Sequence, residues 1–309
     1  MSDIPKRPEF DRRPQAGSPR PSVRPASRAD YRKNRRDRSA DGIDPDLGLE
    51  GRRLVLGQQP VREAIRVHGA RLHEVLIEER PSPRAEAVER FAKDQNVTVR
   101  HVPRNELERL AGQTLHQGVA AYAPALALTP LSVLLVQPQL LALALDGIVD
   151  PQNFGAAVRS AAGLCRAPVL WPESASAPLT PATFRASAGA IEHAILCRVP
   201  SLVSALTEAA SAGVEVIGLT PEADLHLHEL DLTRPTIIVI GSEQKGMARG
   251  VRKACTQLVR LGGSGAVQSL NASVAAGIAL HCALVQRAQA QPDSQAQPDR
   301  EAQLDRPAR

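Results

Sequence analysis

From residue 140 to residue 261 the chain repeats one pattern: a short, almost wholly apolar run followed by a helical stretch. The runs are "LLALALD", "PVLWP", "AILCRV", "VEVIGL", "TIIVIG" and "LVRLG". Strands that are apolar on both sides must be covered on both faces, and regular alternation with helices achieves this around a parallel sheet. The helices are expected from "NFGAAVRSAAGLCR", "PATFRASAGAIE", "SLVSALTEAASAG", "MARGVRKACTQ" and an alanine-rich run that ends near Arg287. An α/β fold of this kind binds ligands beyond the carboxyl ends of its strands. The loops after "ALALD", "TIIVIG" and "LVRLG" are therefore the places to look for chemistry.

Ahead of this unit, residues 52–124 show a second alternation of helix and strand patterns. "PVREAIRVHG" reads as a helix with Pro60 in its first position and Gly69 as its stop. "SPRAEAVERFAKDQN" reads as a helix opened by Ser82 and Pro83. "LHEVLIEE", "VTVRHV" and "HQGVAAYAP" read as strands. A linker, 125–139, joins this small α/β domain to the larger one at 140–288. Residues 1–40 carry 12 Lys/Arg against 5 Asp/Glu, with much proline and little apolar content, so residues 1–51 are expected to be a disordered basic tail. The natural partner of such an arm is a polyanion, nucleic acid above all. Residues 289–309 repeat Ala-Gln-Pro-Asp units and read as a low-complexity tail.

The four cysteines, Cys165, Cys197, Cys255 and Cys282, form no Cys-x-x-Cys pair and read as reduced core residues of a cytoplasmic protein. The charged amino terminus does not read as a signal peptide, and no apolar stretch reaches the roughly 20 residues of a membrane span. His226 and His228 have no third ligand nearby in sequence, and no metal site is expected.

Three loops carry polar residues in places where structure alone is a strained explanation. In "DGIVDPQNFGAAVRSAAG", Asn153 can cap a helix, Gly155 admits a close backbone or phosphate, and Arg159 near a helix start opposes the dipole. In "IIVIGSEQKGM", a buried strand runs into Gly241 and then Glu243, which fits either a ligand site or a plain cap. In "SLNASVAAGIAL", Ser269 is a good cap for the last helix. Asn271, placed one or two residues inside that helix, needs partners elsewhere or costs a few kcal/mol. No Gly-x-Gly-x-x-Gly, Walker or Gly-x-Ser-x-Gly pattern is present, which argues against a dinucleotide-dependent oxidoreductase, a P-loop enzyme and a serine hydrolase.

In this order the three loops resemble the motif set of the SpoU (TrmH-type) 2′-O-ribose RNA methyltransferases of the SPOUT superfamily. "FRASAGAIEHAILCRV" resembles the same family, and "LVLGQQPVREAI" with "LHQGVAAYAP" resembles its appended RNA-binding domain. The nearest subgroup by this resemblance is the bacterial RlmB-like enzymes that methylate a guanosine of large-subunit ribosomal RNA. The resemblance implies a parallel sheet ending in a trefoil knot, a homodimer, an RNA substrate and S-adenosylmethionine bound against the backbone of Gly241, Leu261 and Leu270. It implies a catalytic rim of Asn153, Arg159, Glu243, Ser269 and Asn271, with Ser269 steering Arg159 or the nucleotide. A transfer-RNA methyltransferase and an RNA-binding relative without activity are the alternatives. The chain departs from the family at "LGGSG", where an Ile-Pro-Met-like sequence is usual; Gly262 and Gly263 imply a looser cofactor turn and weaker cofactor binding.

Overall fold

The computed structural model describes residues 51–177, 179–263 and 269–290. The expected basic tail and almost all of the low-complexity tail lie outside them. In the amino-terminal domain, β1 (Arg53–Leu56), α1 (Gln58–His68), β2 (Glu74–Glu78), α2 (Pro83–Asp94), β3 (Val99–Val102), α3 (Arg104–Ala111) and β4 (Val119–Ala123) follow one another. The sheet order is β1-β4-β2-β3, with β4 antiparallel to both neighbours and β2 parallel to β3. Val55, Ile65, Val75, Ile77, Val88 and Ala121 pack one face, while Leu56, Leu76, Leu107 and Ala120 pack the other. Ser82 caps α2 by accepting from the Ala85 N–H at 3.3 Å, with Pro83 in the first position, as expected. Pro60 is instead the third residue of α1, because Gly57 opens that helix two residues earlier.

The larger domain runs α4 (Leu131–Leu135), β5 (Leu141–Asp146), α5 (Pro151–Leu164), β6 (Val169–Pro172), α6 (Pro181–Ala186), β7 (Leu196–Val199), α7 (Leu202–Ser211), β8 (Glu215–Leu219), β9 (Thr236–Gly241), α8 (Arg249–Ala254), β10 (Gln257–Val259) and α9 (Ala272–Ala290). Its six strands are all parallel, in the order β10-β8-β9-β5-β6-β7. Strand β5 shows why both faces must be covered. Leu141, Leu143 and Leu145 enter the core shared with α5 and α9, and Ala142 and Ala144 enter the one shared with α7 and α8. The chain grows outward from β5 to β7, then returns to place β9 against the other side of β5. That junction is the topological switch point at which open α/β sheets form a ligand crevice.

The expected helix over "PATFRASAGAIE" is broken: α6 stops at Ala186, and a single 3-10 turn covers Ala190–Glu192. The linker is partly built into the domain, since Leu126 is buried and Leu128 bridges to Leu196. Helix α9 is secured at its far end by Arg287, whose guanidinium donates to the carbonyls of Leu232, Gln139, Leu140 and Arg234 at 2.7–3.0 Å. Tracing the trefoil knot requires residues 264–268, which lie outside the described residues.

Helix α5 lies directly on α6 at Gly155. A Cβ there would stand 2.6 Å from the Ala186 Cβ and 2.7 Å from the Thr183 carbonyl oxygen, so the close approach that Gly155 permits is to backbone. Gly163 on the same helix is exposed and a Cβ would meet nothing within 4 Å. Gly155→Val should therefore destabilise the protein by about 1–3 kcal/mol through overpacking. Gly163→Ala should stabilise it by about 0.5–1 kcal/mol by restricting the unfolded chain. Urea unfolding midpoints of the two variants, moving in opposite directions, check the assignment.

Candidate active site

The carboxyl ends of β8, β9 and β10 open on one cleft, and β5 ends beside β9. Asp146, the last residue of β5, pairs in register with Gly241, the last of β9. Its buried carboxylate accepts the Ala248 N–H at 2.6 Å, which pins the far end of the loop 242–248. The near end is a tight turn: Ser242 N–H donates to the Gly246 carbonyl at 3.1 Å, and Gly246 N–H donates back at 2.7 Å. The loop thereby folds onto Gly241, where a Cβ would stand 2.3 Å from Gly246 C and Met247 N. Gly241 is glycine because its own loop lies against it, a cause independent of any ligand.

Asn271 is the amino-terminal cap of α9. Its Oδ1 accepts from the N–H groups of Ser273 at 3.0 Å and Val274 at 3.3 Å and from the Ser273 hydroxyl at 2.6 Å. The cap is therefore not Ser269, and the Ser273 hydroxyl joins Asn271 in it. With its Oδ1 spent on the cap, Asn271 has Nδ2 to spare. That group donates to Asn153 Oδ1 at 2.8 Å and to Glu243 Oε1. Glu243 Oε1 also accepts from Asn153 Nδ2 at 3.2 Å and from the Ala272 N–H at 3.1 Å. The carboxylate thus sits on the amino terminus of α9, where the helix dipole favours a negative charge. Asn153 is the third residue of α5 and not its cap. Asp150 caps that helix, accepting from Gln152 and Asn153 N–H at 3.3 and 3.1 Å, so the Asn153 side chain is free to bridge loops.

Behind this triad lies a cleft of about 470 Å³. Its lining includes Gly241, Glu243, Leu261, Gly262, Ser269 and Leu270, and also Thr220, Glu222 and Arg252. Glu222 accepts a hydrogen bond from the Thr220 hydroxyl and lies 3.5 Å from Arg252. The Thr220 bond first, and Arg252 after it, hold its carboxyl below the usual carboxylate range. This part of the lining was missed from the sequence, although "VEVIGLTPE" shows the needed signal: it is one more parallel strand running into a polar loop. Arg159 is not gathered in. It is the ninth residue of α5, beyond the first turn where the dipole acts; it is exposed, lies outside the cleft lining, and makes no polar contact among the described residues. Among those residues there is also no cluster of His, Cys, Asp and Glu fit to hold a metal, and no helix long and apolar enough to cross a membrane.

Residues 140–281 match the SpoU rRNA Methylase family, and residues 54–128 match the RNA 2′-O ribose methyltransferase substrate-binding domain. A protein described as an uncharacterized tRNA/rRNA methyltransferase in Mycolicibacterium smegmatis is 39% identical over 235 residues, 74% of each chain. A protein of Mycobacterium avium described in the same words is 39% identical over 242 residues, covering 76% of this chain and 78% of that one. The chain belongs to the SpoU methylase family. Among solved structures, the SpoU methyltransferase AviRb from Streptomyces viridochromogenes, in complex with AdoMet, superposes with a TM-score of 0.63 at 26% identity, covering 77% of this chain and 92% of that one. An RNA 2′-O ribose methyltransferase does so with a TM-score of 0.66 at 25% identity, covering 85% and 98%.

Because Glu243 ties three loops to one helix terminus, Glu243→Ala should cost about 1 kcal/mol of stability, and Glu243→Gln, which keeps the acceptor oxygen, clearly less. Denaturant titrations of both variants read this directly; an alanine variant as stable as wild type would show that the cluster holds nothing together.

Proposed function

We propose that the protein transfers a methyl group from S-adenosylmethionine to a ribose 2′-hydroxyl of RNA, with a guanosine of large-subunit ribosomal RNA as its target. The observation that carries this reading is the meeting of Asn153, Glu243 and Asn271 at the mouth of a cleft walled by Gly241, Leu261 and Leu270. The cleft fits the methyl donor: its volume lies in the range of small-molecule sites, Leu219, Ile240 and Leu261 offer apolar wall, and Thr220 and Glu222 offer polar groups. Gly262 and Gly263 have open space at their Cβ positions.

When bound, the cofactor supplies an electrophilic methyl on a sulfonium centre. The chain must then align that centre with a hydroxyl and manage one proton. Glu243 places a negative charge at the cleft mouth, and Asn153 and Asn271 hold its carboxylate oriented. Ser269 adds a hydroxyl on the cleft lining. A guanidinium is a poor base, so the role of Arg159 is to clamp the adjoining phosphate and raise the acidity of the hydroxyl. It stands outside the cleft of its own chain, and a homodimer supplies it from the other. Val274, Ile278 and Val285 form an exposed apolar stripe along α9, at 49%, 40% and 39% exposure, that a second copy would cover.

Tritium-labelled S-adenosylmethionine incubated with unmodified ribosomal RNA should leave label in nucleotides whose 3′ phosphodiester resists alkali, since that cleavage needs a free 2′-hydroxyl. Label on a base, or none, overturns the reading; label only in transfer RNA moves the substrate. Arg159→Ala should lower transfer by about two orders of magnitude with cofactor affinity unchanged, and Arg159→Lys should fall between. Both variants at the wild-type rate would remove Arg159 from the mechanism. By calorimetry, the Gly262→Pro, Gly263→Met double variant should bind S-adenosylmethionine more tightly than wild type, because the turn loses backbone freedom.

A further inference from the structure

Arg53 opens β1 of the substrate-binding domain, yet its wholly buried guanidinium serves the other domain. One terminal nitrogen donates to Glu192 Oε1 at 2.7 Å, the other pairs with Glu192 Oε2, and Nε donates to the Pro124 carbonyl at 2.6 Å. The guanidinium also lies 5.2 Å from the centre of the Phe184 ring. His68, the last residue of α1, reaches the same carboxylate with Nε2 at 2.9 Å. Burial alone would push the Glu192 carboxyl up, but the bonds from His68 and Arg53 outweigh it and hold it below the usual range. At the rim, His193 Nε2 meets Glu63 Oε2 at 2.9 Å. Gly189, at φ +84°, lets α1 come so close that a Cβ would stand 2.7 Å from that of Glu63.

Contacts between domains of one chain are ordinarily polar and permit motion. This one is a planar fork on a desolvated carboxylate, stacked on an aromatic ring, and it accepts a single geometry. Its catalytic-domain half, residues 184–193, continues from α6, which lies on Gly155 of α5, two residues from Asn153. A continuous packed path therefore joins the first strand of the substrate-binding domain to the cleft mouth.

We propose that Arg53, Glu192 and His68 are positioning residues: a buried clamp that fixes the substrate-binding domain at one angle to the cleft and so selects which ribose reaches it. This rests on the RNA-methyltransferase reading above. The test uses the full chain, protein-free ribosomal RNA and labelled S-adenosylmethionine, with methylated positions mapped by sequencing. Arg53→Met should lower kcat/KM for RNA at least tenfold, mainly through KM, or spread methylation to neighbouring riboses, with cofactor Kd within twofold of wild type. Amide exchange should quicken at 53–68 and 183–193. Arg53→Lys, which keeps the charge without the fork, should fall between. His193→Ala, at the half-exposed rim, should show the same pattern more weakly and serves if the buried variant does not fold. Faster exchange at the joint with kcat/KM and methylated position unchanged overturns the clamp, as does equal loss of cofactor and RNA affinity. If the wild-type chain transfers no methyl to RNA, the enzyme reading fails, and the exchange pattern still upholds or overturns the fixed joint.

Discussion

The carboxylate of Glu243 is the junction on which the site is built. One oxygen receives the Ala272 N–H at the start of the last helix and the amides of Asn153 and Asn271. The carboxylate comes from the loop after β9, Asn153 from the first turn of α5, and Asn271 and Ala272 from the segment that follows β10. Without an acceptor at that point, the Ala272 N–H at the start of α9 would lose its partner, and two asparagine side chains would have no common acceptor. The helix dipole makes the same point the natural seat for an anion. The chain thus satisfies a helix terminus and gathers its polar site residues with one interaction.

The cleft behind that junction is made by loops at the carboxyl ends of the strands, and the reason is topological. Inserting β9 between β5 and β8 brings four strand ends to one edge of the sheet. The loops leaving them must be narrow to pass one another. Asp146 ties back the 242–248 loop, and Gly241 has no room for a side chain beneath it. Glycine at 241 is required by the packing of its own loop, whatever the cleft then binds, whereas Gly262 and Gly263 have open space where a Cβ would stand.

The loop strings were legible before any coordinates as spaced polar residues beside apolar runs, although Asn271 is the exposed cap of α9 and not an amide inside that helix. Which residue capped the helix was not legible: Ser269 and Asn271 are both good caps two residues apart, and only the reach to Glu243 decides between them. Likewise Asn153 and Asp150 are both capping types, and Asp150, directly ahead of Pro151, is the one that caps. The Thr220–Glu222–Arg252 wall carries no distinctive motif. The Arg53–Glu192 pair spans 139 residues and looks from either side like an ordinary surface charge.

The sequence by itself determined the α/β class, the division into two domains, the alternation that forces a doubly covered parallel sheet, and the resemblance that names the family. These follow from local periodicity and short motifs, which act over a few residues. The tertiary structure decided which caps are spent and which polar atoms remain free, which glycines face backbone, that Arg159 stands outside the cleft of its own chain, and how one domain is held against the other. Those outcomes depend on hydrogen bonds and close contacts between residues far apart along the chain, whose energies exist only once the sheet has brought them within reach.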